Sequence, residues 1–183
     1  IAEKLAKSFP NARFIGMERD PYPTVASMIR QKDVAAWHDR WKAYPIPNRF
    51  LGITSELAAT YDSLPLPQQC AIRWKAHHTR MHALKAKLEE RLMIVSYEKL
   101  ATQTKSVLSK VQSFLHLKSP IEFPEVNEAS LHKWKMFLSP EAVKEIEAIV
   151  SLKPGEFAEY QMHAQEAAEA SFPTRNQGIA SLA

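Results

Sequence analysis

At the start of the chain, apolar residues are spaced with the period of a helix. They are then followed by a short apolar run that is typical of a buried strand. The segment IAEKLAKSFP is apolar at every fourth position and closes on a proline, which predicts an amphipathic helix. The apolar run in FIGM, ended by charged residues, predicts a buried strand of a parallel sheet. Asp20 and Pro21 supply an N-cap and a first-turn proline, so the next helix is predicted over PYPTVASMIRQ.

The rest of the chain is predicted to be mostly helical, with one more strand in RLMIVSYE. The long helix over 68–90 is expected to place Trp74, Met81, Leu84 and Leu88 on one face. The other predicted helical segments are a short helix before a proline-restricted loop in 33–47, helical patterning over 49–61, and helices over 99–115 and 140–150. Strands separated by long helices favour an α/β fold, helix-rich with a small parallel sheet, over a helical bundle. We expect one partial domain over 1–165 and a loosely ordered tail over 166–183.

Composition excludes several classes of protein. The 183 residues carry 24 basic and 20 acidic side chains, a net charge of +4 spread along the chain. A nucleic-acid-binding protein would favour a denser basic stripe, so no nucleic-acid partner is expected. No apolar run is long enough for a membrane span. The single cysteine, Cys70, can form no internal disulfide, which fits a reducing compartment and makes a cytoplasmic location the expectation. Oligomeric state is not addressed by the sequence.

The glycines exclude a phosphate-cradling loop within these residues. Such a loop needs closely spaced glycines, and no two of Gly16, Gly52, Gly155 and Gly178 lie within twenty positions of each other. The chain also begins abruptly at Ile1, without methionine. We therefore interpret it as a fragment, in which any such loop would precede Ile1.

The segment FPNARFIGMERDPYPTVASMIR carries the strongest chemical signal. It places Arg19 at the carboxyl end of a strand and Ser27 on the following helix, where open α/β sheets bind ligands. A guanidinium and a hydroxyl suit a phosphate. On the residues alone, Arg19 could equally pair with Glu18 or Asp20, and Ser27 could face a packing site.

A strand followed by Arg-Asp-Pro, with a serine eight positions after the arginine, resembles the 3′-phosphate-binding motif of sulfotransferases that use 3′-phosphoadenosine-5′-phosphosulfate (PAPS). The resemblance implies a truncated fold like that of P-loop NTPases, with PAPS or adenosine 3′,5′-bisphosphate as the co-substrate ligand. It also implies that Arg19 and Ser27 both contact the 3′-phosphate.

Three later stretches agree with this family in order and approximate distance. RLMIVSYEKLATQTKSVLSKVQSFLHL resembles a strand ending in a Y-E-x-L turn, which implies that Tyr97 lies near the adenine. SLHKWKMFLSPEAVKEIEAI resembles a basic, tryptophan-centred segment, which implies that Lys133 and Lys135 approach a phosphate of the nucleotide. GEFAEYQ resembles a closing aromatic element of these domains. The sequence departs from the family pattern in two ways. It lacks the loop for the 5′-phosphosulfate, and it lacks the C-terminal arginine-lysine-glycine trio.

The resemblance implies sulfuryl transfer to a hydroxyl or amine of a small-molecule or glycan acceptor. It places the catalytic base and the main oxyanion lysine upstream of Ile1, so this fragment alone is expected to be inactive. The aromatic residues Trp37, Trp41, Tyr44 and Phe50 are candidates for acceptor contact, although aromatic rings of this kind can equally form core.

Other readings of the sequence remain open. His78 and His82 lie at i and i+4 on one predicted helix, but the residues between them include no glutamate, so the zinc-protease pattern fails and no metal site is expected. Cys70 has no partner for nucleophilic chemistry and is predicted to be a small buried residue. A noncatalytic helical interaction domain, or another nucleotide-dependent transferase such as a small-molecule kinase, would also fit.

Overall fold

The computed structural model describes residues 2–119, 121–122 and 128–171, and in it a parallel sheet of two strands lies among helices. The strands are β1 (Phe14–Glu18) and β2 (Leu92–Ser96). The helices are α1 (Ala2–Ser8), α2 (Pro21–Arg30), α3 (Lys32–Asp39), α4 (Leu66–Leu88), α5 (Tyr97–Thr102), α6 (Thr104–Leu115), α7 (Pro140–Val150) and α8 (Pro154–Ser171). The prediction of a helix-rich α/β chain with a small parallel sheet is confirmed.

The register of the sheet determines the positions of the residues that directly follow the two strands. Phe14 lies opposite Leu92 and Glu18 lies opposite Ser96, and the two strands run in the same direction. Because parallel strands end at the same edge of a sheet, the first residues after them, Arg19 and Tyr97, lie side by side.

The predicted start of α2 is confirmed by its cap. Asp20 Oδ1 accepts a hydrogen bond of 2.9 Å from the backbone N–H of Tyr22, and Pro21 is the first helical residue. A side-chain oxygen satisfies a donor that the helix itself leaves unpaired, and proline at this place loses no hydrogen bond. The cap therefore fixes α2 directly behind β1.

The core lies where α4 packs against α2 and α7. Its fully buried side chains include Val25, Leu51, Ile53, Leu57, Tyr61, Ile72, Ile146 and Ile149. The Lys75 side chain is also buried, and its Nζ donates a 2.9 Å hydrogen bond to the backbone oxygen of Val150. A cation at the C-terminus of α7 is favoured by the negative end of the helix dipole, so Lys75 ties α4 to α7.

The helix predicted over 49–61 does not form. Asn48 Oδ1 accepts hydrogen bonds of 3.0 Å from the backbone N–H groups of Phe50 and Leu51, and Gly52 has a φ of 80°. An asparagine side chain that binds its own backbone and a left-handed glycine both compete with a helix. Two 3₁₀ turns, Leu57–Ala59 and Tyr61–Ser63, follow this turn in place of an α-helix.

The core-facing side of α4 is formed mainly by small side chains. Trp74, Met81, Leu84 and Leu88 are half-buried, whereas the buried positions are Cys70, Ala71, Ile72, Lys75 and Ala76. Small residues let neighbouring backbone approach α4 closely, as Gly52 does against Ala76. Of the half-buried residues, Met81 packs against Gly16 of β1, and Trp74 and Met81 both border a cavity beside this strand.

Two further boundaries shift. The helix predicted over 99–115 is divided at Gln103 into α5 and α6. Helix α8 contains GEFAEYQ and continues to Ser171, into the predicted tail, and the remainder of that tail lies outside the described residues.

Candidate functional site

Two cavities meet at the carboxyl end of β1. The first, which we call the α2 cavity, has a volume of about 160 Å³ and is bordered by Arg19, Ser27, Arg30, Lys133, Trp134 and Phe137. The second, the α4 cavity, has a volume of about 340 Å³ and is bordered by Glu18, Arg19, Arg73, Trp74, His77 and His78. Arg19 borders both cavities, so the end of β1 forms their common wall.

Arg19 is held by contacts of its guanidinium and of its backbone oxygen. Its guanidinium carbon lies 4.4 Å from the centroid of the Tyr97 ring, and its backbone oxygen accepts a 3.0 Å hydrogen bond from Trp74 Nε1. Its Nε is buried and has no hydrogen-bond partner among the described residues. A buried donor without a partner costs about 1–3 kcal/mol.

The acidic neighbours of Arg19 are engaged elsewhere. Glu18 contacts His78 and His82, and Asp20 Oδ1 accepts a 2.9 Å hydrogen bond from the backbone N–H of Tyr22. Burial raises the pKa of Asp20. Within the described ranges Arg19 forms no ion pair with either carboxylate. The pairing that the sequence left open for Arg19 is therefore not what the structure shows.

Helix α2 adds a hydroxyl and a second guanidinium. Ser27 and Arg30 are three residues apart, so both lie on one face of the helix and both border the α2 cavity. Both residues are exposed. The guanidinium carbon of Arg30 lies 3.7 Å from the centroid of the Phe137 ring, which holds this cation beside the cavity.

The far wall of the α2 cavity comes from the 3₁₀ segment Glu128–Met136. Its Trp134 stacks on Tyr22 with 5.0 Å between ring centroids, and Tyr22 in turn donates a hydrogen bond from its hydroxyl to Glu147 on α7. That hydrogen bond raises the pKa of Tyr22 to about 12. The stack fixes the segment against α2, which brings Lys133 to the cavity.

The α4 cavity contains a second arginine whose Nε is buried and has no partner within the described part of the chain. The guanidinium carbon of Arg73 lies 5.3 Å from the Trp37 ring centroid and 4.3 Å from that of Phe50. Burial lowers the pKa of Arg73. The two rings shield the cation from water, which strengthens its attraction for an anionic or polar group in the cavity.

Comparison with known proteins decides the family. A family model described as the sulfotransferase family matches residues 2–120. The chain belongs to the sulfotransferase family. No curated protein and no solved structure matched it. Within the described residues of this sulfotransferase, no helix is both long and apolar enough to cross a bilayer.

The family match includes only part of the predicted nucleotide site. It covers Arg19, Ser27 and Tyr97 and ends before Lys133 and Lys135. The structure brings Arg19, Ser27 and Lys133 to one cavity and places Tyr97 against Arg19. Lys135 does not border this cavity, and its Nζ lies 5.9 Å from the ring centroid of Trp134.

The predicted acceptor residues lie in different environments, although Trp37 and Phe50 contact each other with 5.1 Å between ring centroids. Trp41 is only 6% exposed and donates a 2.6 Å hydrogen bond from Nε1 to Asp62, so it belongs to the core. Trp37 is half-buried and reaches the α4 cavity through its contact with Arg73. Tyr44 is 39% exposed and borders neither the α2 nor the α4 cavity. Of the four candidates, Trp37 and Phe50 contact Arg73, which borders the α4 cavity.

Sequence reasoning missed the cavity-facing stripe of α4. Residues 73, 74, 77, 78 and 81 all border the α4 cavity and recur with the helical period. The repeat was present in the sequence, but these positions mix arginine, tryptophan, histidine and methionine. These positions face a cavity rather than open solvent because the end of β1 lies opposite them, and the sequence does not show that arrangement.

Proposed function

We propose that this sulfotransferase-family chain binds PAPS and holds the donor's 3′-phosphate in the α2 cavity. The observation that carries the proposal is the convergence of Arg19, Ser27 and Lys133 on one space, with Arg19 Nε buried and unpaired among the described residues. The cavity of about 160 Å³ is roughly five times the 30 Å³ that one water occupies in the liquid, enough for a phosphate group.

Each side chain has a distinct part in this proposal. The guanidinium of Arg19 supplies a planar set of donors, and Tyr97 beneath it limits the orientations of that plane. Ser27 adds a neutral donor, and Lys133 adds a further positive charge from the opposite wall. The adenine is proposed to lie near Tyr97, and Lys135 to approach the phosphate from outside the cavity wall. The sheet is proposed to belong to a fold like that of P-loop NTPases.

The acceptor is proposed to bind in the α4 cavity. This cavity shares Arg19 with the α2 cavity, so a molecule there would lie next to the donor. Arg73, set between Trp37 and Phe50, offers donors to an acceptor, and the rings offer an apolar surface. A small molecule or glycan with hydroxyl or amine groups fits this lining. The reaction is proposed to transfer the sulfuryl group of PAPS to that hydroxyl or amine.

Thermal unfolding with adenosine 3′,5′-bisphosphate tests the donor site. At a hundred times its Kd a ligand stabilises the folded state by about 2.7 kcal/mol, which raises Tm by several degrees for a chain of this size. ATP, which lacks a 3′-phosphate, should raise Tm much less. The Arg19→Ala variant should lose roughly tenfold to a hundredfold in affinity, because a charge-assisted hydrogen bond is removed.

Arg40→Ala is the matched control, since Arg40 is an exposed arginine that borders neither of these two cavities. It should keep the wild-type response. If Arg19→Ala binds the bisphosphate as tightly as the wild type does, the assignment of the α2 cavity is wrong.

A further inference from the structure

Three side chains with metal-binding atoms converge at the edge of the α4 cavity. His78 Nε2 lies 2.8 Å from Glu18 Oε1, and His82 Nε2 lies 3.3 Å from Glu18 Oε2. One ligand atom from each of the three lies within 4.8 Å of the others. One carboxylate thus faces two imidazole nitrogens, one at each of its oxygens.

The fold dictates this convergence. His78 and His82 are four residues apart on α4, so their rings lie on one face of the helix, with 4.4 Å between centroids. Trp74 stacks on His78 from the preceding turn, with ring centroids 4.7 Å apart, and limits the rotation of that imidazole. Glu18 is the last residue of β1 and comes from 60 positions earlier in the chain. The sequence could not show this third ligand.

We propose that Glu18, His78 and His82 form a binding site for a divalent transition metal ion of the zinc type. Two imidazoles and one carboxylate are a ligand set that zinc accepts, with a fourth position taken by water or another ligand. Around a tetrahedral zinc with ligands at about 2.0–2.1 Å, neighbouring ligand atoms lie roughly 3.3 Å apart, close to the separation of His82 Nε2 from Glu18 Oε2.

The surroundings favour a site that exchanges its metal and keeps an open position. The side chains of His78, Glu18 and His82 are 27%, 32% and 49% exposed, so an ion can enter from solvent. Glu18 and His78 also border the α4 cavity, so the open position lies beside the space proposed for the acceptor. No glutamate stands between the two histidines, so the site lacks the base of a zinc protease, and the proposal is for metal binding.

Titration calorimetry with ZnCl₂ on the full chain, freed of any histidine tag, tests the proposal. We expect one saturable zinc site per chain and a higher Tm with zinc. Co²⁺ should bind at the same site and give the visible absorption of a low-symmetry complex. Mg²⁺ should compete weakly, because it prefers oxygen ligands.

Variants decide whether the three residues are the ligands. His82→Ala and Glu18→Gln should each weaken zinc binding by roughly tenfold or more. His132→Ala removes an exposed histidine outside the cluster and should leave binding unchanged. Circular dichroism of each apo variant confirms folding, and Glu18→Gln keeps the side-chain volume. Absence of saturable zinc binding, or equal binding by wild type and His82→Ala, would overturn the proposal. So would a loss in His132→Ala as large as that in His82→Ala.

Discussion

At the residue scale, His38 shows how burial sets a charge state. The ring is 1% exposed, with Nδ1 2.6 Å from the Tyr61 hydroxyl and Nε2 3.7 Å from Cys70 Sγ. A neutral imidazole can accept a hydrogen bond from the tyrosine hydroxyl at Nδ1 and donate one from Nε2 to the sulfur. Burial lowers the pKa of His38 to about 4, with the charge of Arg73 as a smaller cause. His38 is therefore a neutral core residue at physiological pH.

The shifted pKa of His38 predicts an acid-sensitive free energy of unfolding. The unfolded chain takes up the proton near pH 6.5 and the folded chain only near pH 4, so stability is full above 6.5 and falls as pH drops between these values. The loss should approach about 3 kcal/mol. Urea unfolding of wild type and His38→Gln across this range measures it, and the variant should show a flatter dependence.

His132→Gln, an exposed histidine, serves as the control and should keep the wild-type dependence. Carboxylates titrate in all three proteins, so their contribution to the pH dependence of the unfolding free energy cancels when the proteins are compared. If the stability of His38→Gln declines as steeply as that of the wild type, the buried neutral histidine is not the source of the effect.

Single residues were predictable from sequence where their chemistry limits them to one environment. Cys70 was expected to be a small buried thiol, and it is fully buried and free, with burial raising its pKa to about 12. Trp41 was not predictable in this way, because an aromatic ring suits both a core and a binding surface. Its hydrogen bond to Asp62 comes from the tertiary fold.

At the element scale, the turn from Asn48 to Ile53 depends on one glycine. Gly52 has a left-handed φ of 80°, and a Cβ on it would lie 2.9 Å from Ala76 Cβ and 3.1 Å from the backbone oxygen of Ile72. Both the backbone conformation and the close approach to α4 therefore exclude a side chain.

Gly52→Ala should lower the free energy of unfolding by roughly 2 kcal/mol or more, because backbone strain and overpacking add. The measurement is urea unfolding against the wild type. Gly155→Ala is the matched control, since a Cβ there meets nothing within 4 Å and the residue lies in α8. That variant should be neutral or slightly more stable. Equal effects of the two substitutions would contradict the described turn.

Elements were predictable where local signals agreed with one another. Strands β1 and β2 and helices α2, α4 and α7 follow from apolar runs, caps and first-turn prolines. The segment over 49–61 has a helical apolar pattern, but the side-chain acceptor of Asn48 and the conformation of Gly52 override it. The sequence did not show which face of α4 enters the core, because residue size, rather than hydrophobicity, decides which side approaches the neighbouring chain.

At the scale of the whole molecule, the parallel sheet and α2 assemble the proposed donor site. The spacing of Arg19 and Ser27 placed them near one another from sequence alone, and they border one cavity. Lys133 reaches the same cavity because Trp134 stacks on Tyr22, a contact between residues far apart in the chain. No local sequence pattern encodes such a contact, so only the family resemblance predicted that Lys133 lies near a phosphate of the nucleotide.

The most direct test of the donor site compares two nucleotides that differ only in the 3′-phosphate. Calorimetry would give the affinities of adenosine 3′,5′-bisphosphate and adenosine 5′-monophosphate for wild type, Arg19→Ala and Arg40→Ala. We predict that wild type and Arg40→Ala prefer the bisphosphate, and that Arg19→Ala loses most of this preference while its affinity for the monophosphate stays the same. An undiminished preference in Arg19→Ala would contradict the account.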